Sequence, residues 1–177
     1  PKNIPDLVTA YLDSRLPDTP LVARAARMLA RECLRHTFRP VPIPVSRVRN
    51  AAAQEFAESF QRQPGLEDFV LQRLQTLGFI EVTGVGEELI RFSVPVLAEY
   101  LAALDVLERC GASETAWRQF LITADGIEGA PESIRFFLLA VQDCCLAKGA
   151  SAGVPDFVLL ELARRAGGDL APLRQAL

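Results

Sequence analysis

Apolar positions recur at helical spacing along most of the chain. Leu7, Val8, Tyr11 and Leu12 predict a short amphipathic helix over residues 4–16. After the break at Pro17-Asp18, Thr19 is placed to cap and Pro20 to start a second helix reaching about His36. Its apolar positions Val22, Ala26, Met28, Leu29, Cys33 and Leu34 are interleaved with Arg24, Arg27, Arg31 and Arg35. FRPVPIPVSR is a proline-punctuated, extended connector. A third helix is expected from about Val45 to Phe60, then a stop at Gln63-Pro64-Gly65 and a fourth helix from Leu66 to Leu77, closed by Gly78.

The period then changes. Phe79 to Thr83 and Glu88 to Ser93 each alternate apolar and polar residues around GVG, which predicts a β-hairpin. A lone hairpin is marginal, but behind short helices it resembles the wing of a winged helix. Helical patterning then resumes. Ser93 with Pro95 should open a helix to Cys110, Ser113 one to about Thr123, Pro131 one to about Ala147, and Pro155 one to about Ala166. The expected fold is mainly α. A winged-helix-like domain with one hairpin spans 1–93, and a helical bundle or the start of a helical array spans 94–177.

The helix after the hairpin is apolar over most of its circumference. Leu97, Tyr100, Leu101, Leu104 and Leu107 share one side, and Val96, Glu99, Ala103, Val106 and Cys110 make a second stripe. Ala98, Ala102, Asp105 and Arg109 are left as a narrow face for water. Such a helix is buried on at least two sides, worth about 1.5–3 kcal/mol per fully buried large side chain. It should join the two units. Glu99 should then accept from backbone N–H groups or pair with an arginine.

Net charge is −3, ordinary for a globular chain, but unevenly spread. Residues 1–65 carry ten Lys+Arg against six Asp+Glu, and residues 66–177 nine against sixteen, which hints at different contacts at the two ends. Cys33, Cys110, Cys144 and Cys145 form no disulfide framework, and no signal peptide or long apolar span is present, so a cytoplasmic home is expected. The chain opens on Pro1 rather than Met and is read as part of a longer protein.

Catalytic and metal-binding patterns are sparse. Lys148-Gly149-Ala150-Ser151 has phosphate-loop residue types in the wrong order and reads as a plain loop. Cys33 and His36 share a helix face without a second ligand pair. Glu87-Glu88 sit in a turn, where solvation explains them. The helix before the hairpin, LEDFVLQRLQTLG, presents two acids and one arginine, a poor partner for phosphates. No catalytic, cofactor-binding or metal residue is assigned. Arg24, Arg27 and Arg31 are a possible interaction face toward an acidic surface or a phosphate.

Arg91-Phe92 followed by Glu99-Tyr100-Leu101-Ala102-Ala103 resembles the F-x-H-x-x-x-x-E-Y-[LF]-A-A signature of NACHT-type STAND nucleoside triphosphatases, and the run from residue 1 to 111 looks like bacterial members of that family. The resemblance implies the end of a winged helix, lying after a nucleotide-binding domain and before a helical sensor region. It makes Phe92, Glu99, Tyr100, Leu101 and Leu104 structural, interdomain positions. Where the family often has a nucleotide-contacting histidine, this chain has Val94. The phosphate-binding lysine loop is not in the sequence, so ATP or ADP would belong to the parent protein rather than to this segment. The expected function is non-catalytic regulation: coupling the nucleotide-binding domain to a downstream sensor. The expected partners are other domains of the parent protein and other proteins, with neither nucleic acid nor membrane. A DNA-binding winged-helix regulator and a protein-interaction scaffold are the alternatives.

Overall fold

The computed structural model describes residues 3–15, 20–57, 65–84 and 86–167. The expected cap at Thr19, the Gln63-Pro64 break and the tail after Gly167 lie outside them, whereas the third helix ends at Glu55, with Phe56 as its C-cap, short of the expected Phe60.

The chain is mainly helical, with one small antiparallel sheet. In α1 (Ile4–Arg15), Val8 turns into the core, whereas Ile4, Leu7 and Tyr11 are largely exposed. Helix α2 (Pro20–Leu34) buries the apolar face that its arginines leave free, including Val22, Ala26, Leu29 and Ala30. It ends two residues earlier than expected. There the Phe38 N–H bonds back to the Leu34 carbonyl (2.8 Å), with Phe38 held at φ +48°. That left-handed conformation is costly for a bulky residue.

The proline-rich connector does more than link. Ile43–Pro44 is a two-residue strand, β1, which sequence periodicity alone did not mark. It pairs antiparallel with β3 (Leu89–Phe92), placing Ile43 opposite Ile90, and β3 pairs in turn with β2 (Ile80–Thr83). The strand order β1-β3-β2 leaves Pro44 on an edge, where a missing N–H is tolerated. Helices α3 (Val45–Glu55) and α4 (Leu66–Thr76) lie between β1 and β2 in the chain. Gly78, at φ +73°, closes α4 as expected. The hairpin alternates as its sequence requires: Ile80, Ile90 and Phe92 are buried, while Glu81 and Arg91, directly opposite each other, form an exposed ion pair at 2.6 Å.

Helix α5 (Pro95–Cys110) follows the sheet. Its N-cap is Val94 and not Ser93, with no side-chain cap bond, and Pro95 occupies the first turn. Ser113 caps α6 (Glu114–Asp125) through its hydroxyl, which accepts from the Ala116 N–H at 3.3 Å. A 3-10 turn (Glu132–Ile134) precedes α7 (Arg135–Ala152), and Pro155 leads into α8 (Asp156–Ala166). Residues Lys148 to Ser151, expected as a loop, are helical, because α7 runs five residues past Ala147. Both α7 and α8 end on left-handed glycines, Gly153 and Gly167. One contiguous apolar core includes Leu29, Ile90, Leu101, Trp117, Leu138 and Leu162, and so runs from the sheet to the last helix. No helix among the described residues is long and apolar enough to cross a membrane.

Candidate interaction surface around the central helix

Helix α5 packs against α2 on one flank and α7 on another, with α1 touching both α5 and α7. Small residues are frequent in the interior of both helices: Ala98, Ala102 and Ala103 on α5, and Ala25, Ala26 and Ala30 on α2, are all nearly or wholly buried. The face expected to meet water is therefore largely covered. Ala98, Ala102 and Asp105 are buried; of the expected strip only Arg109 meets solvent, together with Val96 and Glu108. Phe92, Tyr100, Leu101 and Leu104 are buried in the core.

A polar seam runs along the α2–α5 contact. Arg27 donates to Glu108 at 3.0 Å. Arg31 donates to Asp105 (3.3 Å) and to Glu55 of α3 (2.6 Å), and lies 3.7 Å from Glu32. Asp105 also accepts from Arg109 at 2.7 Å. Burial pushes the Asp105 carboxyl above the usual range although both arginines pull it down. Burial opposes the Arg31 charge, yet its three acidic neighbours hold that group above its ordinary value. Arg27 and Arg31 are thus engaged inside the molecule, and Arg24 lies over the Phe56 ring at 5.2 Å.

The α7 flank is joined differently. Tyr100 Oη donates to Asp143 at 2.5 Å, and burial, with Asp143 adding to it, raises the phenol's pKa. Lys148 Nζ donates to Thr9 of α1 at 3.0 Å. Trp117 is fully buried and donates through Nε1 to the Gly111 carbonyl at 2.9 Å, pinning the α5–α6 turn. Phe38 stacks on Phe120 (centroids 5.6 Å apart) and meets Phe137 edge-on (5.1 Å), so a loop from the front of the chain is pegged into α6 and α7. Glu99 departs from expectation. It is half-buried, makes no hydrogen bond or ion pair among the described residues, and burial raises its pKa.

Between α2–α3 and α5–α6 opens a cleft of about 920 Å³. Its lining includes Arg31, Arg35, Arg47 and Arg109 together with Phe38, Phe120 and Phe137. Sequence reasoning singled out none of these as a group apart from Arg31, because they come from five separate helices and a loop. Cys33, considered as a ligand, is buried, and burial first and Glu32 second push its thiol up to about 12. His36 Nε2 lies 3.0 Å from Arg47 Nη2. Among the described residues no group of three His, Cys, Asp or Glu side chains could hold a metal ion. On α4, Asp68 is paired with Arg49 at 2.9 Å and Phe69 is half-exposed.

Residues 127–170 match the family model described as NACHT C-terminal Helical domain 4. The matched stretch contains the 3-10 turn, α7 and α8, and it marks this part of the chain as a NACHT-associated helical region. No curated protein and no solved structure matches the chain.

Proposed function

We propose that the chain is a non-catalytic regulatory segment of a STAND/NACHT-type signalling ATPase, a winged-helix unit followed by sensor-side helices, working in the cytoplasm. Two separate stretches support the reading. The Phe92 and Glu99-to-Ala103 signature lies in β3 and α5, and the family match begins downstream of both, at residue 127. The element order α2-β1-α3-α4-β2-β3, with β1 pairing back onto the hairpin, is the arrangement expected of a winged helix.

The observation that carries the coupling role is the position of α5. It is buried through its middle, tied to α2 and α3 by Arg31 and to α7 by Tyr100. A rigid helix held from both flanks transmits rotation of one side to the other, provided the contact has two arrangements. The half-buried, unpartnered Glu99 supports this, because its partner would come from outside the described residues. Val94, where the family often has histidine, is exposed and has no polar side-chain atom. It does not fit a phosphate-contacting role, and no step through a nucleotide is derived for this segment. The test is hydrogen exchange in the full-length parent protein with ADP or an ATP analogue. Amides of residues 94–110 should change protection between the two states; identical protection would reject the coupling.

A further inference from the structure

We propose that the cleft between α2–α3 and α5–α6 is a docking groove for an acidic, amphipathic peptide segment of another protein. Its charge is the first argument. The chain as a whole carries −3, yet four guanidinium groups, Arg31, Arg35, Arg47 and Arg109, line this one cavity. The acids among them are already satisfied. Glu32 is shared by Arg35 and Arg47 at 3.4 Å each, Glu55 by Arg31, and Asp105 by Arg31 and Arg109. Arg35 and Arg109 remain more than half exposed. Each of them spends a single nitrogen on its internal acid, which leaves further N–H groups for an incoming carboxylate.

The rest of the wall selects a peptide over a simple anion. Phe38, Phe120, Phe137 and Val106 give it an apolar floor, where aliphatic or aromatic anchors can be desolvated. Gln54 of α3 and Gln119 of α6 stand exposed on opposite sides, and neither side-chain amide has a partner among the described residues. Such amides suit backbone N–H and C=O groups. At about 920 Å³ the cleft is at the upper end of small-molecule sites and has room for several side chains.

The test uses the full 177-residue chain and short fluorescein-labelled peptides read by anisotropy. The probe alternates Glu with Leu and Phe, and controls replace Glu by Gln or the apolar residues by Ser. Saturable, salt-sensitive binding of the first peptide alone is expected. It should weaken about tenfold or more in R35E/R109E and persist in R91E, whose arginine sits on the hairpin. The neutral variant Q54A/Q119A, checked for native circular dichroism, should weaken binding without altering its salt dependence. Absence of saturable binding, equal loss in R91E, or equal binding of the serine peptide or of a DNA duplex would overturn the proposal. Failure here would leave the hydrogen-exchange result on α5 untouched.

Discussion

At the scale of single residues, Glu99 and Trp117 are opposite cases of a polar group taken out of water. Glu99 is buried enough for desolvation to raise its pKa, with no arginine or backbone donor among the described residues in return. A raised carboxylate favours the protonated folded state. Its contribution to stability is therefore present below the ordinary glutamate pKa and is lost as pH rises through that value to the folded one. Glu99→Gln should raise Tm by about 1–3 °C at neutral pH. The gain should fade once pH drops below the usual glutamate range. Thermal melts across pH check this, and a pH-independent difference would rule it out. Trp117 presents the opposite case, a fully satisfied buried polar group. Trp117→Phe keeps most of the packing but strands the Gly111 carbonyl, so it should cost about 1–3 kcal/mol in urea unfolding. The loss should exceed that of a substitution at the exposed Arg118 on the same helix.

At the scale of elements, legibility in the sequence followed the range of the physics. Local signals read well. The hairpin followed from alternation, α6 from its Ser113 cap, and α8 from Pro155. Signals that depend on distant partners did not. Strand β1 is only two residues long and contains Pro44, so no periodicity marks it, and it exists because β3 offers an edge. Asp105 looked like a water-facing residue because charge defaults to the surface, but its partner Arg31 is 74 positions away. The groove was invisible for the same reason, as its walls come from residues 31–55 and 102–137. Ala98 and Ala102 were read as part of a water-facing strip, yet both are buried. That burial makes a direct prediction. Ala98→Leu, at a position with no solvent exposure, should overpack the core and cost about 1–3 kcal/mol. Ala150→Leu, exposed on α7, should cost little. Equal effects in chemical denaturation would mean that the packing around Ala98 is slack.

At the scale of the whole molecule, the question is whether front and back fold as one. Helix α5 shares its core with α2 and α7, Phe38 is pegged between Phe120 and Phe137, and Arg31 links α2, α3 and α5 through ion pairs. A coupling element needs this continuity, because a perturbation in one half reaches the other only through contacts that unfold together. Trp117 is the chain's single tryptophan and lies in α6, so its fluorescence reports the back half alone. Leu29 lies in α2 with 1 % exposure, and Leu29→Ala should cost about 2–5 kcal/mol through the cavity it leaves. If the core is one cooperative unit, this front-half lesion should move the Trp117 transition and the far-ultraviolet circular dichroism transition by the same amount. A Trp117 transition that stays put while the dichroism splits in two would show that the halves melt separately, and a helix shared by independently melting halves could not carry orientation from one to the other.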